Sequence, residues 1–245
     1  MARIIHDKDS KQINFLDERY YKYSEGIYFP SVTTVLDIYP KGYGFIQWLK
    51  DLGNNADEVL KRAGESGSKI HDAIETYLKG GEVLWDDEIY DLSEWKQILK
   101  FQEFWSTHKP KLLHSEAQLV CKEYELGGTV DIVCELKGKV YLIDVKSSNA
   151  LYKTHELQTA AYAMMYNTEF PDAPIDCTAI FHTKALTRGE DKKGKVIQGK
   201  GWKLCEFDRS YKEAFQTFEH IHAIYKEENP IVKPKNEIYP DRIKL

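Results

Sequence analysis

Cysteine is scarce in this chain, and the few cysteines stand far apart. Among 245 residues there are four, at positions 121, 134, 177 and 205. The closest two are thirteen positions apart, so the chain has no C-x-x-C pair of the kind that holds a zinc ion or forms a redox centre. We therefore expect free thiols that are mostly buried in the core.

Long apolar runs are also missing from the chain. No stretch approaches the roughly 18 consecutive apolar residues that a membrane-spanning helix needs. The first residues, 1–7, lack the apolar core of a secretory signal. These absences predict a protein that has no membrane partner and is located in the cytoplasm, or inside whatever cell its genome occupies.

The chain has no excess of positive charge of the kind that often marks nucleic-acid-binding proteins. Its formal net charge is −5, so only a local basic strip could supply contacts to phosphates. Such a strip lies between two predicted strands, Asp176–Lys184 and Trp202–Phe207. A solvated loop is the alternative, because charged runs usually face solvent. The basic residues of this strip that we predict to contact the phosphates of a nucleic acid, if the chain binds one, are Lys184, Arg188, Lys192, Lys193 and Lys195.

The composition is that of a globular protein with a sizeable core. Hydrophobic residues make up 42% of the chain and charged residues 30%, both ordinary values. We predict a single domain. Its parts are an N-terminal extension over 1–30, a helical region over 31–110, a sheet core over 111–207, a helix over 208–228 and a tail over 229–245.

A predicted β-hairpin carries the most informative residues. Two runs rich in β-branched and apolar residues, Thr129–Leu136 and Lys139–Lys146, are separated by Lys137-Gly138. This pattern is typical of a hairpin with a two-residue loop. Pairing the strands outward from that loop places Asp131 directly opposite Asp144, with their side chains on one face of the sheet.

A lysine lies next to this pair of carboxylates. Lys146 is two residues beyond Asp144 and therefore projects from the same face. Two facing carboxylates repel, and a divalent cation that takes oxygen ligands, such as Mg²⁺ or Mn²⁺, would resolve the repulsion. The chemistry that this arrangement suggests is phosphodiester hydrolysis. A surface hairpin with solvated acids is the alternative. The opposite face is predicted to be buried by Val130, Ile132, Cys134, Tyr141, Ile143 and Val145.

Three motifs in this region resemble those of a known family. Gly128–Asp131, the Asp144–Lys146 triplet, and Gln158 with Tyr162 occur in the order and at the spacings of the PD-(D/E)xK nuclease superfamily. The similarity is specifically to its branch of RecB-like, Cas4-like and phage or mitochondrial exonucleases. It extends from about residue 30 to residue 166.

The resemblance implies a fold and further site residues. The fold would be α/β, a restriction-endonuclease-like core in which a small mixed β-sheet is flanked by helices on both sides. His71, in the helical motif Gly67–His71, and Glu116 would join Asp131 and Asp144 around the metal. Lys146 would position or activate water, and Gln158 and Tyr162 would support the site. For His71 and Glu116 the alternatives are a structural histidine and a solvated strand residue.

The resemblance also implies an activity. We expect a metal-dependent DNA exonuclease acting on ends or single strands in recombination, repair or phage DNA processing, with a helicase or recombination protein as a possible class of partner. The alternatives are an endonuclease that cuts structured or duplex DNA, and a non-catalytic nucleic-acid-binding module. Some members of the branch hold an iron–sulfur cluster on one early and three late cysteines. Because no cysteine precedes Cys121 in this sequence, we predict no such cluster.

Overall fold

The computed structural model describes residues 12–15, 18–190 and 192–233 of the chain. The N-terminal half forms three short strands and four helices: β1 (Gln12–Phe15), β2 (Glu18–Ser24), β3 (Ile27–Pro30), α1 (Val32–Leu36), α2 (Tyr43–Leu52), α3 (Ala56–Leu78) and α4 (Leu92–His108). The C-terminal half contains β4 (Lys111–Cys121), β5 (Leu126–Leu136), β6 (Lys139–Lys146), α5 (Lys153–Glu169), β7 (Cys177–His182), β8 (Arg188–Glu190), β9 (Val196–Gln198), β10 (Lys203–Glu206) and α6 (Tyr211–Glu228).

The central element is a five-stranded sheet in the order β10-β7-β6-β5-β4. Strands β6 and β7 are parallel, and the other neighbours are antiparallel. Helix α5 supplies the long connection that two parallel neighbours require. The predicted α/β fold with a small mixed sheet is therefore confirmed. Strand β4 begins at Lys111, directly after Pro110, although the alternation of residues in the sequence indicates a strand only from Ser115.

Helices cover both faces of this sheet, as predicted. On one face a core cluster joins the sheet to α1, α5 and α6, through residues such as Leu142, Ala161 and Phe218. On the other face a second cluster joins it to α3 and α4, through residues such as Ile70, Phe104 and Ile143. The prediction that Val130 and Ile132 lie on the same face of the sheet is wrong. Val130 packs in the first cluster, and Ile132 packs in the second.

A second sheet, β1-β2-β3, packs against the N-terminal half of β5. Its anchor is Tyr21, which is fully buried and lies so close to the main sheet that a Cβ on Gly127 would stand 2.1 Å from its ring. Of these three strands, the sequence pattern indicates only one, over Ile27–Phe29 after a turn at Glu25-Gly26. Residues 1–11, 16 and 17 of the predicted N-terminal extension, and 234–245 of the predicted tail, lie outside the described residues.

The aromatic residues of α2 lie at helical spacing, which predicts that they are buried in the core, but the structure leaves them partly exposed. None of its residues is buried. Phe45 and Trp48 stack on each other with ring centroids 5.7 Å apart, and both are half-buried. The apolar spacing of α2 predicts a helix with one apolar face, but spacing alone does not say whether another element covers that face.

Candidate active site

The site lies at the open end of the β5–β6 hairpin, away from its turn. Pairing runs from Leu136–Lys139 at the turn to Ile132–Ile143, in the predicted register. The next pair would be Asp131–Asp144, and there the regular pairing stops. The two aspartates are thus placed at neighbouring positions on adjacent strands, but they are not bridged through their backbones as the simple hairpin predicts.

Asp131 replaces the missing backbone acceptor with its own side chain. Its Oδ2 accepts a hydrogen bond from the backbone N–H of Val145 at 2.7 Å. The same oxygen lies 3.5 Å from Nδ1 of His71. Helix α3 therefore brings its histidine to the point where β5 and β6 separate.

The hydrogen bonding of His71 fixes which of its nitrogens can bind a ligand. Nε2 lies 3.1 Å from the carbonyl oxygen of Val145. Because a carbonyl oxygen only accepts, Nε2 carries the hydrogen and donates it. In the neutral ring Nδ1 then has a free lone pair that faces the Asp131 carboxylate. A backbone carbonyl that orients an imidazole in this way is the usual support of a metal-binding histidine.

Glu116 reaches the same place through an unusual backbone conformation. It has a φ of 51° in the middle of edge strand β4, a region that costs a non-glycine residue about 1–2 kcal/mol. The β4–β5 pairing passes from Ser115–Ile132 to Ala117–Val130, and Glu116 and Asp131 between them are not bridged. Burial, followed by the negative charge of Asp131, raises the pKa of Glu116 to about 8.

His71, Glu116 and Asp131 form a group with the chemistry of a metal site. One ligand atom from each lies within 4.8 Å of the others. Ligands on opposite sides of Mg²⁺ are about 4.2 Å apart at bond lengths of roughly 2.1 Å, so small side-chain rotations would place all three on one ion. Two carboxylates and a lone pair pointing at each other repel without a cation. The residues therefore fit a divalent metal.

Asp144 and Lys146 form an ion pair beside this group. Nζ of Lys146 lies 2.8 Å from Oδ2 of Asp144, and Asp144 is only 1% exposed. The lysine ammonium therefore holds that oxygen. Asp144 lies outside the closest ligand group, which contains His71, Glu116 and Asp131.

The protonation of this pair follows from burial and charge. Burial raises the pKa of Asp144, the Lys146 ammonium opposes that shift, and the charge of Asp131 adds to it. Burial alone would lower the pKa of Lys146, but the charges of Asp144 and Asp131 outweigh burial and raise it. Lys146 is therefore a cation at neutral pH.

Gln158 and Tyr162 lie together on α5, as their spacing predicts. Both are buried, and Nε2 of Gln158 donates a hydrogen bond to the Tyr162 hydroxyl at 3.2 Å. Burial raises the pKa of Tyr162 well above its usual range, so its hydroxyl stays protonated. Gly128 allows this approach, because a Cβ there would stand 2.4 Å from the Tyr162 ring.

The basic strip forms a small two-stranded ribbon, β8–β9. Arg188 begins β8, and Lys192, Lys193 and Lys195 lie exposed around the turn. Lys184 is separate from the ribbon, half-buried just beyond β7. Within the described residues, this segment is therefore an exposed β-ribbon.

Three titratable residues near the site received no role from the sequence. The charges of Glu75 and Asp72 on α3 both act on Glu116, and their spacing of four and one from His71 was the available signal. His155 is close enough to Lys146 that burial, and then the positive charge of Lys146, lower its pKa to about 4. Its position in the first turn of α5, the helix that carries Gln158 and Tyr162, was the available signal in the sequence.

None of the helices in the described part of the chain combines the length and apolar character that a bilayer crossing needs. The four cysteines are free, with Cys121 and Cys134 buried and the other two half-buried.

Comparison with known proteins identifies the family. The crystal structure of SSO0001 is similar over 69% of this chain and 88% of that one, with 9% identity and a TM-score of 0.28. No curated protein matches the chain. The family model of the PD-(D/E)XK nuclease superfamily matches residues 45–231, a range that contains every residue of the site described above. Nucleases of this superfamily act on nucleic acids and use divalent metals. The chain belongs to the PD-(D/E)XK nuclease superfamily.

Proposed function

We propose that this protein is a divalent-metal-dependent deoxyribonuclease of the RecB/Cas4-like branch that degrades DNA from ends or as single strands. One observation carries the proposal. The Asp144–Lys146 ion pair and the group His71, Glu116 and Asp131 meet at the open end of one hairpin. An acidic metal group beside a buried cation is what hydrolysis of a phosphodiester requires.

The metal would be held by His71, Glu116 and Asp131, with the carboxylate of Asp144, which pairs with Lys146, as a further ligand. Mostly oxygen ligands favour Mg²⁺, and Mn²⁺ is the alternative that accepts the imidazole more readily. When bound, such an ion neutralises and polarises the phosphodiester. It would also relieve the repulsion between Glu116 and Asp131.

Lys146 would act as a fixed positive charge. Its ammonium is held by Asp144 at 2.8 Å, and its raised pKa keeps it protonated. In this state it donates hydrogen bonds to the phosphate oxygens or to the attacking water and stabilises the negative charge that develops in the transition state. It does so without movement, because the ion pair fixes its position in advance.

Gln158 and Tyr162 would support the substrate from the side of α5. The hydroxyl of Tyr162 already accepts from Gln158, so its own hydrogen is free to be donated toward the site. The ribbon residues Arg188, Lys192, Lys193 and Lys195, with Lys184, would contact the DNA backbone. We place the reaction in DNA repair, recombination or phage DNA processing, with a helicase or recombination protein as a partner.

The test is cleavage of end-labelled single-stranded and duplex DNA, and of a closed circle, with Mg²⁺, with Mn²⁺ and with chelator. We expect metal-dependent cleavage from ends and no cutting of the circle. Lys146→Ala should reduce the rate by about 10²–10³-fold. The matched control is Lys139→Ala, at the exposed other end of the same strand, which should cut like wild type. Cleavage that survives chelation, or equal rates for the two variants, would contradict the assignment. Internal cuts in the circle would show an endonuclease.

A further inference from the structure

Three lysines gather on the far side of β7 from the active-site carboxylates. Lys96 and Lys100 are one turn apart on α4 and so share a face. Nζ of Lys100 donates a hydrogen bond to the carbonyl oxygen of Thr183 at 2.8 Å, which places it beside Lys184. We call Lys96, Lys100 and Lys184 the α4 lysine cluster.

A glycine keeps this place open. At Gly201, just before β10, an added Cβ would stand 3.1 Å from both Cε and Nζ of Lys100. Three separate segments, α4, the residues after β7 and the residues before β10, therefore meet around one ammonium group. Lys96 is exposed, and Lys100 and Lys184 are half-buried, so the cluster is reachable from solvent.

The cluster lacks counter-ions. Within the described ranges, none of its three ammonium groups lies within 4.0 Å of a carboxylate. Glu103, on the same helix, accepts a hydrogen bond at its Oε2 from the Trp202 indole N–H at 3.0 Å and forms no ion pair with these lysines. Burial, and then the charges of Lys184 and Lys96, lower the pKa of Lys100. Three neighbouring ammonium groups that form no ion pair within the described ranges attract an anion, even in a chain with a net charge of −5.

The cluster is tied directly to the strand end that carries Lys146. Thr183 is fully buried, and its N–H donates to the carbonyl oxygen of Lys146 at 3.0 Å. Its hydroxyl lies 3.2 Å from the same oxygen and 2.5 Å from Oε1 of Gln97 on α4. Strands β6 and β7 run parallel, with Lys146 beside His182. The cluster and the active site therefore share one edge of the sheet, at neighbouring strand ends.

We propose that the α4 lysine cluster binds backbone phosphates of the nucleic acid next to the scissile one. This inference rests on the proposed function. A strand carries a phosphate about every 3.4 Å along its axis, so a backbone leaving Lys146 toward β7 brings phosphates to Lys184, Lys100 and Lys96. The nucleic acid supplies the negative charge that the protein does not.

The experiment is a titration of fluorescently labelled, cleavage-resistant phosphorothioate oligonucleotides, single-stranded and duplex, with Mg²⁺ present. Binding is followed by anisotropy at several salt concentrations for wild type, Lys96→Gln, Lys100→Gln and Lys184→Gln. Each variant should bind at least about threefold more weakly, with a salt slope reduced by about 0.7 for a single strand or 0.9 for a duplex. The control is Lys212→Gln, an exposed lysine on α6 across the sheet, which should match wild type.

Two features keep the result decisive. Lys100→Gln removes the bond to Thr183 and could alter the fold, but Lys96 and Lys184 make no such bond, and Lys96→Arg should restore affinity. If wild type cuts DNA while Lys96→Gln and Lys184→Gln bind like Lys212→Gln, the phosphate subsite is wrong and the nuclease assignment stands. If wild type neither binds nor cuts any nucleic acid, both are wrong.

Discussion

The two ends of the β5–β6 hairpin obey different rules. At the turn, Lys137 and Gly138 have φ values of 52° and 76°, which is the pair of positive angles that a two-residue hairpin turn uses. Pairing from Leu136–Lys139 onward is regular. At the open end, pairing stops before Asp131, and Glu116 on the next strand has a φ of 51°.

Positive φ thus occurs at both ends, but for different reasons. At the turn it is a local solution, selected by the twist of the two strands and made inexpensive by glycine. At Glu116 nothing local favours it, and the conformation persists because neighbouring strands and α3 hold it. Strain of this kind tends to collect at functional sites. The regular end therefore stabilises the hairpin, while the irregular end holds charged groups close enough to repel one another.

The strongest test of the difference between the two ends of the hairpin uses two matched aspartates. Each accepts a backbone N–H of β6, Asp131 from Val145 at 2.7 Å and Asp176 from Val140 at 2.8 Å. Asp131→Asn should lower the cleavage rate by about 10²–10³-fold, while Asp176→Asn should leave it unchanged. Both should cost less than about 1.5 kcal/mol of stability, measured by denaturant unfolding. Similar activities for the two variants would remove Asp131 from the site.

A second test compares two glycines, Gly128 in β5 and Gly138 in the hairpin turn. Gly128→Ala would put a Cβ 2.4 Å from the Tyr162 ring, and we expect a loss of about 1–3 kcal/mol from overpacking, together with lower activity as Tyr162 moves. Gly138→Ala meets no atom within 4 Å and should cost about 1–2 kcal/mol through its φ alone. Unfolding and cleavage, measured at a temperature where both variants are folded, separate the two. Full activity in Gly128→Ala would argue against a role for Tyr162.

The charge conflict at the open end predicts a pH dependence of stability in chelator. The pKa of Glu116 is raised to about 8 in the folded chain from an ordinary value of 4.5. Between these values the folded state binds more protons than the unfolded state, so this group makes stability fall as pH rises from about 4.5 to 8. In Glu116→Gln the fall in Tm over that range should be smaller. Equal slopes for wild type and variant would show that Glu116 ionises normally.

The smallest effect is expected at the turn. Asparagine tolerates positive φ better than lysine, and Asn-Gly is the preferred pair in this turn. Lys137→Asn should therefore stabilise the protein by roughly 0.5–1 kcal/mol without changing cleavage. Denaturant midpoints and cleavage rates measured side by side check this. A change in activity would mean that the two ends of the hairpin are coupled.

Much of the fold could be predicted because its signals are local. The sequence pattern of Leu92–His108 indicates a helix that stops before Pro110, and α4 has these bounds because Asp91 and Glu94 form a reciprocal cap at its start. The hairpin turn and its register follow from alternation around Lys137-Gly138. The existence of one sheet between two helical layers follows from the resemblance, whose motifs record the family's fold.

The rest depended on contacts between distant residues. Tyr21 fills the space above Gly127 through packing between segments about 100 residues apart, and α2 leaves its aromatics half-buried because no other element in the described part of the chain covers its apolar face fully. No periodicity carries that information. The predicted second face of β5 was wrong at Val130, because the break in pairing at Asp131 lies between Val130 and Ile132.

The sequence by itself determined most of the elements outside the N-terminal sheet, the hairpin turn and the residue types of the site, since these follow from side-chain pattern and backbone preference. Only the tertiary structure decided which groups act together. It joined His71, Glu116 and Asp131 as closest neighbours and paired Asp144 with Lys146. The physical reason is that these distances depend on how strands separate and how α3 docks, which long-range packing sets and short-range spacing does not.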